Sequence, residues 1–193
     1  LGKNINTKYW ESHPTLSPSG DTLFFSSSRR GGFGGTDIYY STKTPEGDWG
    51  KAINIGPIIN TKASEVSPFY HPKHGVLYFS SNAKNRSVNM GGYDIYRTHY
   101  ILGKWREPKN LGPLINGKGD EYYFTIDANS KKLYFAKSKP DNISNLDLYS
   151  YDLPMDAHPL AITKLVGTVE DEEGNPYQGI VTIIDIDNSI EVT

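Results

Sequence analysis

Ser17-Pro18-Ser19-Gly20-Asp21-Thr22-Leu23-Phe24-Phe25-Ser26-Ser27, then across a glycine-rich stretch Gly34-Gly35-Thr36-Asp37-Ile38-Tyr39, decides the fold, because the chain repeats it. The second copy reads His71-Pro72-Lys73-His74-Gly75, Leu77-Tyr78-Phe79-Ser80-Ser81, Met90-Gly91-Gly92 and Asp94-Ile95-Tyr96. A worn third copy keeps Leu133-Tyr134-Phe135 and Asp147-Leu148-Tyr149 but has lost the Pro and Gly of the turn, reading Asp127-Ala128-Asn129-Ser130. Each copy is announced by an Asn and a Glu: Asn6 and Glu11, Asn60 and Glu65, Asn116 and Glu121. The offset is 54 residues from Asn6 to Asn60 and 56 from Asn60 to Asn116. A strand-rich period of that size is the signature of propeller blades or a similar array.

One copy reads as a blade. Ser12 to Leu16 is a first strand, and Ser17 to Asp21 a turn in which Pro fixes φ and Gly supplies a positive one. Thr22 to Ser27 is a second strand with Leu23, Phe25 and Ser27 on one face and Thr22, Phe24 and Ser26 on the other. A strand rich in apolar and small residues on both faces is buried on both, as between stacked blades. Asp37 to Ser41 is a third strand, Thr44 to Asp48 a turn, and Trp49 to Ile55 a short outer strand. The second copy repeats this with Val76 to Ser81, Asp94 to Thr98 and Trp105 to Leu111. The third lacks the Trp and shows no clear fourth strand. Residues 1–153 are thus expected to form three blades of an incomplete propeller. Propellers need about four to eight blades, so the chain is expected to be a slice of a larger protein. Leu153 to Pro159 shifts in composition, and 154–164 is expected as an extended linker. Residues 165–193 read as strand, acidic turn (Glu170 to Glu173) and strand, the truncated start of a second β domain.

Bulk properties agree. The 193 residues are 36% hydrophobic and 22% charged, with 14 Tyr and a combined 31 Gly and Pro, a composition suited to an all-β globular chain. The net charge of −2 gives no global attraction to nucleic acid or to a membrane surface. No apolar run approaches the ~20 residues of a spanning helix. Without Cys there is no disulfide, thiolate metal ligand or thiol nucleophile.

The Ser-Pro-x-Gly turn, the Leu-x-Phe-x-Ser strand and the Gly-x-x-Asp-Ile-Tyr segment resemble the TolB-type, WD40-like β-propeller repeat. Val166-Gly167-Thr168-Val169, Gly174-Asn175-Pro176 and Ile180-Val181-Thr182 look like the opening of a carboxypeptidase-regulatory-like β-sandwich. The combination is similar to multidomain OmpA-family envelope proteins, some of them periplasmic anchors of type IX secretion and gliding machinery. That resemblance implies a periplasmic, outer-membrane-associated location, partners among cell-envelope proteins, and contact with peptidoglycan through a domain outside this chain.

No residue constellation points to catalysis or to a cofactor. Gly31 to Gly35 is followed by a strand, whereas a phosphate loop needs a helix N-terminus; it reads as a blade loop. Glu11, Glu65 and Glu121, and Asp37, Asp94 and Asp147, recur at repeat positions, which suits donors satisfied within each blade. Asp120-Glu121 is the one carboxylate pair of interest. His71 and His74 flank a turn and have no third metal ligand nearby. Trp49 and Trp105 read as packing residues that could also stack a sugar. No nucleophile elbow is present. The leading expectation is a non-catalytic interaction module. The alternatives are the substrate-gating propeller of a larger peptidase and a glycan-binding propeller. The candidate binding face is basic. Loops between second and third strands carry Arg29, Arg30, Lys84, Arg86, Lys137 and Lys139, and blade-entry loops at the same end carry Lys8, Lys62 and Lys118. An acidic partner or anionic envelope polymer would dock there. Reversing Arg29, Arg30 and Arg86 to Glu is then expected to leave the melting temperature nearly unchanged.

Overall fold

The computed structural model describes residues 1–86, 88–127, 129–154, 157–159, 170–171, 173–176, 183–185 and 190–192. They fall into two compact units, Leu1–Leu160 and Ala161–Thr193. Among the described residues the elements are all strands. In the first unit β1 (Glu11–Leu16), β2 (Thr22–Ser27), β3 (Asp37–Thr42) and β4 (Ile53–Asn54) form one antiparallel blade in that order. The second blade orders β5 (Glu65–Tyr70), β6 (Val76–Ser81), β7 (Asp94–Ile101) and β8 (Lys104–Trp105), with β9 (Lys109–Asn110) also paired to β7. The third has only β10 (Glu121–Ile126), β11 (Lys132–Lys139) and β12 (Asn142–Asp152).

The outer strands are shorter than the sequence suggested. The expected strand from Trp49 to Ile55 shrinks to two residues, with Trp49 held by an isolated bridge to Lys43. The one expected from Trp105 to Leu111 splits into β8 and β9. The loop expected between the second and third strands of the last blade is a tight hairpin, so Lys137 and Lys139 lie in β11 itself.

Turn chemistry explains why even the worn copy folds. Ser17 N–H donates to Thr22 O at 2.8 Å, Thr22 N–H to Ser17 Oγ at 3.1 Å, and Gly20 takes φ 69°. In the third blade Asp127 Oδ1 accepts from Lys131 and Lys132 N–H, each at 2.7 Å. Ser130 occupies the left-handed position that Gly20 and Gly75 fill. A carboxylate that captures two backbone donors replaces the lost Pro and Gly.

Every inner strand carries a bulge at the same place, between Ser12 and Thr15, Val66 and Phe69, and Tyr122 and Thr125. Within each, a non-glycine residue has positive φ: His13 at 53°, Ser67 at 52° and Tyr123 at 55°. These bulges bring the three inner strands together, with the His13 and Tyr123 rings edge to face at 5.1 Å.

The core lies between blades. Ile38 of the first blade packs with Ile59, Leu77, Phe79 and Tyr96 of the second. Ile95 of the second packs in a cluster that includes Ile115, Leu133 and Phe135 of the third. Leu148, the third copy's equivalent, is 88% exposed. Across each seam a buried asparagine grips a strand of the preceding blade. Asn60 Oδ1 accepts from Ile38 N–H at 2.8 Å and its Nδ2 donates to Ile38 O at 2.9 Å; Asn116 repeats both bonds, at 2.8 and 2.9 Å, on Ile95. The residues at 154–164, expected to be an extended linker, are anchored where they are described: Ala157 is fully buried and belongs to the second-seam cluster.

In the second unit Glu170 bridges Pro176 around a turn in which Asp171 Oδ1 accepts from Glu173 and Asn175 N–H. Β-strands β13 (Ile183–Asp185) and β14 (Ile190–Val192) pair antiparallel. The sandwich strands expected at Val166–Val169 and Ile180–Thr182 lie outside the described residues.

Asn60→Ala strands two buried backbone groups of Ile38, so it should cost on the order of 3 kcal/mol. Asn6→Ala, at the equivalent but exposed position, should cost less than about 0.5 kcal/mol. Urea unfolding of the two variants measures the contrast.

Candidate functional site

The repeated glutamates and the predicted basic residues meet at one end of the blades, where each loop between second and third strands crosses the entry loop of the next blade. The crossing is close. A Cβ on Gly34 would sit 2.1 Å from Ala63 O, and one on Gly91 2.3 Å from Gly117 O. Gly35 N–H donates to Ala63 O at 2.7 Å and Gly92 N–H to Gly119 O at 3.0 Å. The glycine-rich runs are therefore blade crossings. Asp37 and Asp94 tie them down: Asp37 accepts from Phe33 N–H at 2.5 Å and from Asn54 Nδ2 at 2.8 Å, and Asp94 from Met90 N–H at 2.6 Å and Asn110 Nδ2 at 3.2 Å. Asp147, on the blade without a crossing glycine loop, is exposed.

Beneath the crossings each glutamate is enclosed. Glu65 accepts from Thr61 N–H and Thr61 Oγ1, both at 2.8 Å, and from Ser81 Oγ at 2.7 Å. Arg86 lies 3.8 Å from it, donates to Ile59 O, and lies over the Phe79 and Tyr96 rings at 5.3 and 5.1 Å. Glu11 repeats the arrangement with Thr7, Ser27 and Arg29, the last donating to Ile5 O at 2.7 Å and lying over Phe25 and Tyr39. The third blade meets the same demand differently. Lys137 stands opposite Glu121, at the register of Ser27 and Ser81. Its Nζ is 3.0 Å from Glu121 Oε1 and donates to Ile115 O at 2.9 Å. Gly117 replaces the threonine, and a Cβ there would lie 2.8 Å from Lys137 Nζ. One lysine thus does the work of a serine and an arginine, and the glycine makes room for it.

The environments set three different acidities. At Glu11 burial is the largest single influence and pushes the carboxyl up, but the hydrogen bonds from Thr7 and Ser27 and the charge of Arg29 together outweigh it, and its carboxyl lies below the ordinary range. Burial raises Glu65 despite Ser81, Thr61 and Arg86. Burial raises Glu121 to about 7, with Lys137 pulling the other way.

This corrects the binding face. Arg29, Arg86 and Lys137 are partly or largely enclosed and pair with Glu11, Glu65 and Glu121, so reversing Arg86 would place two carboxylates together in a buried site, and reversing Arg29 would do so in a partly buried one. Unchanged melting is no longer expected of the triple reversal. Lys8, Arg30, Lys62, Lys84, Lys118 and Lys139 are exposed. Lys62 and Lys84 border one cleft of about 520 Å³, and Arg30 borders another of about 620 Å³ together with Lys3 and Lys51. Lys3 and Lys51 escaped the sequence reading because they lie outside the repeat's loop positions; only the fold brings them beside Arg30.

The other candidates make local structural contacts as well. Asp120 accepts from Tyr93 N–H at 2.9 Å, so the Asp120-Glu121 pair is divided between two supporting tasks. His71 is buried, its Nδ1 accepts from Lys73 N–H at 3.2 Å, and burial with His74, Lys73 and His158 nearby lowers it to about 4. Among the described residues no group of three or more His, Asp or Glu is placed to hold a metal ion. No described helix is long and apolar enough to cross a membrane. Trp49 packs against the first-blade core, and Trp105 packs partly against the second.

No family model and no curated protein matches the chain. Solved structures do. A TolB-assigned protein from Agrobacterium tumefaciens superposes with a TM-score of 0.52 at 16% identity, over 79% of this chain and 47% of its own. The fold is a TolB-like β-propeller. The chain spans about half the length of that structure. A puromycin hydrolase (TM-score 0.45, 14% identity, 72% of this chain and 22% of its own) is more distant. So is a 6-phosphogluconolactonase-assigned protein from Bacteroides uniformis (TM-score 0.40, 16% identity, 78% and 43%). At these identities the likeness concerns fold alone.

Because folded Glu121 titrates at about 7 against an ordinary 4.5, the folded chain holds that proton more tightly than the unfolded one. Its contribution to stability is complete below about 4.5 and is lost as pH rises through about 7. Glu121→Gln should remove this dependence, so the variant's melting temperature should gain on the wild type's between about pH 5 and pH 8. Parallel thermal melts across that range are the check.

Proposed function

We propose that this TolB-like propeller segment is a non-catalytic interaction module of the bacterial cell envelope, docking an acidic partner surface through the loop end of its blades. One observation carries the reading: the repeated glutamates and their partner cations are used in holding the blades, while several of the cations left exposed border loop-end clefts. Lys62 and Lys84 share one such cleft, and Arg30 with Lys3 and Lys51 another. For a chain of net charge −2 this is a local positive field, which raises the encounter rate with an acidic partner more than the final affinity. The envelope setting, with outer-membrane association and a place in type IX secretion or gliding assemblies, is supported by the repeat-and-sandwich resemblance to OmpA-family proteins.

The test is capture from an envelope fraction of the producing bacterium, using Lys62, Lys84 and Arg30 all reversed to Glu. All three are exposed and outside the buried ion pairs. The variant should melt as the wild type does and lose most low-salt capture, and wild-type capture should fall as salt shortens the Debye length to about 3 Å near 1 M. Equal capture by variant and wild type at low salt would remove this surface from the function.

A further inference from the structure

The two seams between blades are built on the same register, yet one is filled and the other is open. In the first blade Phe24 pairs with Tyr40 and Thr22 with Thr42; in the second, Tyr78 pairs with Arg97 and Val76 with His99. Residues 157–159 lie along the second row. Tyr78 Oη donates to Ala157 O at 2.7 Å, Arg97 donates to His158 O at 2.5 Å, and His99 Nε2 is 3.3 Å from Pro159 O. Ala157 and Pro159 are buried there. All three contacts run to carbonyl oxygens. A segment read through its carbonyls needs no N–H of its own, so proline is fully compatible with the seat.

The first row borders a cleft of about 420 Å³. Its walls are aromatic: Phe24 and Tyr70 stack at 5.0 Å, Trp105 stands edge-on to Phe24 at 6.3 Å, and Tyr100 lies 5.0 Å from Trp105. Among the described residues no charged side chain lines it. Tyr40 and Thr42, at the positions of Arg97 and His99, also carry donor groups, here neutral hydroxyls.

We propose that this cleft between the first two blades is a docking groove for a proline-containing peptide segment of a partner protein, seated as Ala157-His158-Pro159 is seated in the sister seam. Proline-rich segments favour aromatic-lined grooves because their extended helix is already ordered before binding and little entropy is lost. This groove is separate from the basic loop end, and it stands whether or not that end captures a partner.

The test uses the 193-residue chain and follows the Trp105 indole and Tyr100 amide by NMR. The probes are a proline decapeptide, the octapeptide Leu-Pro-Met-Asp-Ala-His-Pro-Leu copied from residues 153–160, and chitotetraose. The expected result is a saturable shift of Trp105 and Tyr100, with His99 unmoved, on adding either peptide. Tyr100→Ala and Thr42→Glu, both at exposed positions, should each weaken it about tenfold while keeping a native spectrum. Three outcomes overturn the proposal: no shift with either peptide, a peptide shift unchanged in both variants, or a shift produced by chitotetraose alone, which would make the cleft a sugar site.

Discussion

A side-chain amide that acts as a strand sets the geometry of the first unit. Ile38 and Ile95 present backbone N–H and C=O groups toward a seam where water is excluded, and a buried amide without a partner costs more than most single contacts return. Asn60 and Asn116 supply both complements at once, in the geometry that a neighbouring strand would use. They are anchored in turn by Asn54 and Asn110, each accepting at 2.8 Å. Because the asparagine belongs to one blade and the strand to the blade before it, satisfying these bonds fixes how consecutive blades meet. The apolar contacts of Ile38 and Ile95 and the glycine crossings follow from that placement.

The buried glutamates show how such a repeat tolerates divergence. What each blade requires is a carboxylate at the foot of its entry loop and a cation that reaches both it and the carbonyl of Ile5, Ile59 or Ile115. A buried charge can be kept only when it is paired and hydrogen-bonded. Two blades meet that requirement with threonine, serine and an arginine braced on aromatic rings. The third meets it with a lysine in the strand and a glycine where the threonine stood. In the second solution burial of the carboxylate outweighs Lys137 and the Gly117 N–H, and its proton is held to about 7.

These two devices also sort the surface. Groups enclosed by the seams are committed to structure, and what the seams leave open is the exposed cations at the loop crossings and the aromatic cleft between the first two blades.

The repeat, its strands, its turns and the all-β class were legible in the sequence, because alternation, Pro-Gly turns and a fixed period are local properties of the chain. So was the structural character of Glu11, Glu65 and Glu121, since a residue repeated in every blade answers a demand of every blade. The partners of those glutamates were not legible. Arg29, Arg86 and Lys137 have the same charge as Lys62 and Lys84, and only burial separates a cation that holds a carboxylate from one that faces solvent. Nor could the sequence show that residues 157–159 fill one seam while Phe24, Tyr40, Tyr70, Tyr100 and Trp105 enclose space in the other. That difference depends on residues more than 40 apart in the chain meeting in space, and through-space contact at that separation is decided by packing alone.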